Sequence, residues 1–293
     1  MEKKKLGNFC PDSFVVLGFP DDLGVKNVNG RAGAKDGPRA FLEAFLKLNG
    51  KSPIQKKMLS PVMVSMGQQL EKNYQESVSE AVRVRSQVLP TPSPWIVVGG
   101  GHDYAYPWIQ GAVKAAKKGK RLGCLNIDAH FDLRSYDPVM TSGSPFRRLI
   151  EEKWLDPKRL VEFGIQEHCN AAELWDYARK KGIKTYPFES LRNGKAVAEF
   201  KKALAFLKAR CDEVMLSVDL DAMSFAFCPG VSAPQAEGFT ASELFQMMEI
   251  AGADKKVTSL GWFELSPPLD LHNYTARVAA QATWHFLARK LQC

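Results

Sequence analysis

The chain lacks paired cysteines at metal-ribbon spacing. Its six cysteines, Cys10, Cys124, Cys169, Cys211, Cys228 and Cys293, contain no C-x-x-C. That excludes a zinc ribbon and argues against a disulfide framework. It also lacks a long apolar run. The lysines of Met1-Glu2-Lys3-Lys4-Lys5 are not followed by a signal-peptide core, because Phe14 to Phe19 is short and runs into Pro20-Asp21-Asp22. No signal peptide and no membrane span are expected, and a cytoplasmic location follows as the expectation. No repeat and no linker-like change of composition divides the 293 residues. One domain over residues 1–293 is expected, since a chain of this length can bury roughly 75% of its unfolded surface unaided. Acids are the minority, 32 against 40 lysines and arginines, for a formal net charge of +8. The excess is spread over helical faces such as Lys114, Lys117, Lys118, Lys201, Lys202 and Lys208, and no nucleic-acid motif accompanies it. Nucleic-acid binding is therefore not expected, whereas a positive field would favour an anionic substrate.

What is present is alternation. Strand-like runs fall at Ser13 to Phe19, Pro61 to Met66, Trp95 to Val98, Arg121 to Asp128, Leu160 to Gly164, Thr185 to Phe188, Glu213 to Asp219 and Val257 to Glu264. Helix-like runs fall at Pro38 to Leu48, Gln75 to Val88, Trp108 to Lys118, Pro145 to Lys153, Ala171 to Lys181, Ala196 to Ala209, Ala241 to Ala251 and Tyr274 to Arg289. Such a series predicts an α/β protein whose mostly parallel sheet of about eight strands is covered on both faces. A long loop, Asp21 to Lys35, precedes the first helix, with Asp36 as its possible cap.

Acids and imidazoles gather at four strand ends, where an open α/β sheet builds its site. The run Leu122 to Ile127 closes in Asp128-Ala129-His130-Phe131-Asp132. Spacing of two puts Asp128, His130 and Asp132 on one side if the extended geometry continues. A second run ends in Asp219-Leu220-Asp221, a third in Gly99-Gly100-Gly101-His102, and a fourth in Glu264. His102, Asp128, His130, Asp132, Asp219 and Asp221 are too many ligands for one zinc site with an open position. They suit two ions sharing carboxylates, and oxygen-rich, thiolate-free ligation favours manganese. Four aspartates would balance two divalent ions, so the acids need not be buried unpaired. Two ions roughly 3.5–4 Å apart can bridge a water and lower its pKa toward ~7, giving a hydroxide nucleophile. His168, His272 and His285 fall outside the set.

Together, Gly-Gly-Gly-His102, Asp128-Ala-His130-Phe-Asp132, Ser217-Val-Asp219-Leu-Asp221 and Glu264-Leu-Ser-Pro267 resemble the ureohydrolase family of arginases, agmatinases and formimidoylglutamases. The resemblance covers nearly the whole chain. It implies the three-layer arginase-like fold and two Mn2+ per chain. One ion would take His102, Asp128, Asp132 and Asp219, and the other Asp128, His130, Asp219 and Asp221. Glu264 would receive the amidine or guanidine end of a substrate. Within the family, Asn126 to Arg134 (NIDAHFDLR), Ser142 to Arg147 (SGSPFR) and Ala226 to Pro234 (AFCPGVSAP) look most like formimidoylglutamase. Phe146 stands where arginases usually carry a histidine, which would remove a polar contact for a guanidine. Ser224 and Gly261 stand where members often have aspartates.

The resemblance thus implies a hydrolase of histidine degradation that cleaves N-formimidoyl-L-glutamate to L-glutamate and formamide, by attack of the metal-bridging hydroxide on the formimidoyl carbon. Asp132 is the expected proton shuttle to the leaving nitrogen. Arg134, Arg147 and Arg31 are the expected partners of the substrate's two carboxylates. A homo-oligomer is expected from the family. An agmatinase- or guanidinobutyrase-type guanidine hydrolase is the alternative, as is a metal-binding paralogue without turnover.

Overall fold

Valine, isoleucine and leucine dominate the strand runs, and strands of that composition belong in a sheet buried on both faces. The computed structural model describes residues 13–88 and 93–291. The N-terminal lysines, Cys10, Cys293 and residues 89–92 of the expected Leu89 to Pro94 loop lie outside the described residues. The strands are β1 (Val15–Phe19), β2 (Val62–Met63), β3 (Trp95–Gly99), β4 (Leu122–Ile127), β5 (Leu160–Ile165), β6 (Lys184–Pro187), β7 (Glu213–Asp219) and β8 (Val257–Phe263). They form one sheet in the order β2-β1-β3-β8-β7-β4-β5-β6, parallel at every pairing.

The crossovers are helical, through α1 (Leu23–Asn27), α2 (Gly37–Leu46), α3 (Leu70–Val88), α4 (Ala105–Ala115), α5 (Pro145–Glu151), α6 (Ala172–Lys181), α7 (Ala196–Lys208) and α8 (Ala241–Ala253), and α9 (Tyr274–Lys290) follows the last strand. Alternate strand residues serve opposite layers, as the two-residue period requires. On one side Phe41, Phe45, Phe200, Leu204, Met247 and Phe286, from α2, α7, α8 and α9, pack on Val16, Ile96, Leu125 and Leu260. On the other, Tyr74, Trp108, Leu149 and Leu174, from α3, α4, α5 and α6, pack on Leu17, Val97, Cys124 and Met215. Each fully buried side chain of this size stabilises by roughly 1.5–3 kcal/mol, so both layers hold the sheet firmly. Among the described residues no helix is long and apolar enough to cross a membrane.

Four local readings change. The Asp21 to Lys35 stretch is not all loop, since α1 lies inside it. The helix expected from Gln75 starts at Leu70; Asn73 and Tyr74 are buried in its first turns, so polar spelling hid an inward face. The Pro61 to Met66 run pairs only over Val62–Met63, because β2 is the sheet's edge and has a single neighbour. Asp36 precedes α2 but makes no side-chain cap.

Candidate metal centre and active site

The centre of the sheet, β3-β8-β7-β4, delivers all the candidate acids at its carboxyl ends. After β3 the chain turns tightly: a Cβ on Gly100 would lie 1.8 Å from the Asp21 carbonyl oxygen, so only glycine fits. His102 follows, its ring stacked on Phe263 at 4.7 Å and edged by Phe146 at 5.6 Å. After β7, Asp219 Oδ1 accepts the Asp221 N–H at 2.9 Å and starts a one-turn helix, Leu220–Ala222. After β8, Glu264 takes φ +64° while its N–H donates to the Gly100 carbonyl at 2.8 Å. The extended geometry expected through Asp132 does not continue past Ile127. Asp128 Oδ1 accepts the His130 N–H at 2.7 Å, and Asp132 has φ +50°. The three side chains converge through a turn, not through the strand's pleat.

Two ligand groups result. His102, Asp128, Asp132 and Asp219 form the first; Asp128, His130 and Asp221 form the second, with Asp128 common to both. His102 Nδ1 lies 3.0 Å from Asp128, 2.9 Å from Asp132 and 3.1 Å from Asp219. His130 Nδ1 lies 3.0 Å from Asp221 and 3.6 Å from Asp128. Asp219, expected in both groups, gathers with the first, and its other oxygen accepts the N–H of Asp221 in the second.

These residues fit divalent cations. An imidazole nitrogen carries at most one proton, yet His102 Nδ1 faces three carboxylates. Its Nε2 is already engaged by the Ser217 hydroxyl at 2.8 Å, which leaves Nδ1 free to act as a ligand. Asp221 Oδ1 is buried without a hydrogen-bond partner. Protonation equilibria register the same want of positive charge. Burial alone would lower the pKa of His102, but Asp128, Asp132 and Asp219 outweigh it and hold it well above its usual value. Burial, with the charges of Asp221 and Asp128 added, pushes Asp219 well above the carboxylate range, and burial pushes Asp221 up to about 6.

Above the ligands opens a cavity of about 200 Å³, walled also by Val28, Gly30, Arg134, Ser142, Gly143, Ser232, Ala233 and Glu264. Glu264 is buried; one oxygen accepts the His102 N–H at 3.0 Å and the other the Ser232 hydroxyl at 2.8 Å. Burial, then the charge of Asp219, pushes its carboxyl up to about 8. Arg134 is exposed on the rim, its stem 3.0 Å from where a Gly143 Cβ would stand. It is the expected arginine that the structure brings to the cavity wall.

The other two go elsewhere. Arg31 Nε and Nη2 donate to the Ser232 and Val231 carbonyls, both at 2.9 Å, so the residue clamps two rim loops together. Arg147 is not brought to the cavity: it pairs with Glu151 one helical turn on and lies over the Tyr177 ring at 4.7 Å. Phe146 is fully buried against His102 and does not line the cavity. Phe146 therefore offers no face to a guanidine in the cavity, and the polar contact expected to be lost there is not one that this side chain withholds. Ser217 and Ser232 carry contacts that their motif positions do not reveal, Ser217 on His102 and Ser232 on Glu264. Gly261 has a packing reason, because a Cβ there would meet Trp108 at 2.7 Å and Phe263 at 2.8 Å. Ser224 donates its hydroxyl to the Ala236 carbonyl at 3.0 Å, a loop contact.

The profile of the Arginase family matches residues 12–288. A formimidoylglutamase of Nocardia farcinica is 36% identical over 281 residues, covering 95% of this chain and 87% of the relative. A formimidoylglutamase of Aromatoleum aromaticum is 35% identical over 296 residues, covering 98% and 86%. Among solved structures, Trypanosoma cruzi formiminoglutamase with Mn2+2 superposes with a TM-score of 0.83 at 29% identity, covering 94% of this chain and 92% of that one.

Proposed function

Because this chain belongs to the arginase family, we propose that it hydrolyses N-formimidoyl-L-glutamate to L-glutamate and formamide at a centre of two Mn2+ ions. The observation that carries this reading is the pair of ligand groups sharing Asp128, set beneath a cavity with an acid in its wall and an arginine on its rim. Its relatives named formimidoylglutamase favour this substrate over others of the family.

The first group would hold one ion through His102, Asp128, Asp132 and Asp219. The second would hold the other through Asp128, His130 and Asp221. When bound, such ions supply Lewis acidity and lower the pKa of water toward ~7. The protein's own groups do the rest. Beside two divalent cations Glu264 would give up the proton that burial and Asp219 otherwise hold on it, and as a carboxylate on the cavity wall it orients the cationic amidine by charge-assisted hydrogen bonds. Ser232 holds Glu264 in that pose. Asp132, on the cavity wall, carries a proton to the leaving nitrogen. Arg134 on the rim takes a carboxylate of the glutamate moiety, and Arg31 keeps the rim loops at the spacing this needs.

A substrate panel tests it. Formamide release from formimidoylglutamate is measured beside urea release from arginine, agmatine and 4-guanidinobutyrate, all with Mn2+-loaded protein. The expected kcat/KM ratio is at least ~10³, because a site built for a partnered polar group strongly rejects an analogue lacking it. Preferential urea release would transfer the assignment to a guanidine hydrolase. No turnover of any substrate by protein holding both ions would favour a paralogue without catalysis.

A further inference from the structure

Below the ligands, a row of residues runs in register across five neighbouring strands: Val97 on β3, Gly261 on β8, Ser217 on β7, Asn126 on β4 and Glu162 on β5. Residues in register face the same side of a sheet, and a step of two along a strand returns to that side. The row therefore lies one side-chain layer beneath Asp128 and Asp219. At one end it is closed. Trp108 fills the space over Gly261, so no acid can stand there, and His102 is left with the Ser217 hydroxyl.

The acid stands at the other end. Glu162 interrupts the otherwise apolar strand Leu160–Ile165 and is fully buried. Its Oε2 accepts from Asn126 Nδ2 at 3.0 Å, and its Oε1 has no partner. The same Nδ2 donates to Asp128 Oδ2 at 3.2 Å, the oxygen that faces His102 in the four-ligand group. Asn126 Oδ1 has no partner either, so only the two carboxylates distinguish one amide orientation from the other. Reversed, the amide would set its own acceptor against the Asp128 acceptor. A buried carboxyl with a single hydrogen bond serves the fold less well than an apolar side chain of its size. Its value must come from what it aligns.

We propose that Glu162 is a positioning residue for the metal centre: it holds the Asn126 NH2 toward Asp128 and so fixes Asp128 Oδ2 on the four-ligand group. The proposal rests on the metal-centre reading above. Partners one layer behind the ligands typically change metal affinity by ~10–100-fold.

The test titrates metal-free parent, Glu162→Gln and Glu162→Met with Mn2+, following free ion by electron paramagnetic resonance. Glutamine keeps an acceptor oxygen; methionine keeps the length and has none. In Glu162→Met at least one of the two apparent dissociation constants should rise about tenfold or more, with Glu162→Gln within about threefold of the parent. A Glu162→Met protein with parent-like binding overturns the proposal. So does equal weakening in both variants, since loss of charge or shape would then explain the effect. If Glu162→Met fails to fold, Asn126→Ala reads the same relay from its other end, and parent-like binding there overturns it. A parent that binds no Mn2+ overturns the metal centre itself and the relay with it, which separates the two failures.

Discussion

Replacing Glu264 by glutamine removes one charge and almost no shape. The amide can keep both present contacts, its oxygen on the His102 N–H and its NH2 on the Ser232 hydroxyl, which rotates to accept. The fold and both ligand groups should survive. What is lost is the negative charge facing a cationic amidine in a buried wall. Breaking a buried charge pair by removing one partner costs about 3–5 kcal/mol. At roughly 1.36 kcal/mol per decade, kcat/KM for formimidoylglutamate should fall by about two to nearly four orders of magnitude. The assay is formamide release, run beside elemental analysis and a melting curve. Two ions per chain, a Tm within a few degrees of the parent and the stated loss are expected. Activity within threefold of the parent would refute the role given to Glu264. Loss of an ion would refute it differently, by making the residue a support for metal.

Asp128→Asn should release both ions and Asp221→Asn one, because Asp128 serves both groups and Asp221 only the second; elemental analysis after dialysis decides, and equal loss from the two variants would contradict the shared carboxylate. Metal-free protein should lose stability as pH rises. Asp221, pushed from 3.8 up to about 6, and His102 and His130, held well above 6.5, all bind more protons folded than unfolded. Their stabilisation is therefore complete at low pH and is lost as pH climbs through those folded values. Asp128 is shifted the other way, and its contribution is lost only as pH falls below its usual 3.8. Melting curves at about pH 5 and about pH 8 should show the gap between Mn2+-loaded and metal-free protein widening with pH; a constant gap would contradict this. Gly261→Ala should destabilise by ~1–3 kcal/mol through overpacking against the buried Trp108 and Phe263 rings, and a Tm equal to the parent's would show that the rings can yield.

The strand ends that gather the candidate ligands were legible because the chemistry is local. Asp219 ends β7 where its apolar run stops, and the Asp128 to Asp132 segment carries its ligands whether it is straight or turned. Two of the three arginines were not, because sequence proximity to a motif does not aim a long side chain: Arg134 reaches the cavity wall, and Arg147 and Arg31 do not. Arg147 sits three residues from Ser144, yet Glu151 at its i+4 position claims it, a pairing that helical spacing could have revealed. Arg31 is spent on carbonyls some two hundred positions away, which no local pattern encodes. Glu162 was readable as an anomaly, an acid inside an apolar strand. Its purpose needed the register that sets Asn126 between it and Asp128.

Two of the centre's acids, Asp132 and Glu264, sit at φ +50° and +64°, a backbone region that costs most side chains about 1–3 kcal/mol. Glycine would relax either position, and asparagine is tolerated there better than most. A mutant library screened only for survival at high temperature would therefore be drawn toward these codons, as stability and activity commonly trade against each other. The most heat-resistant clones would include some whose chemistry had been quietly erased, so any campaign to harden this protein has to score turnover in the same round as endurance.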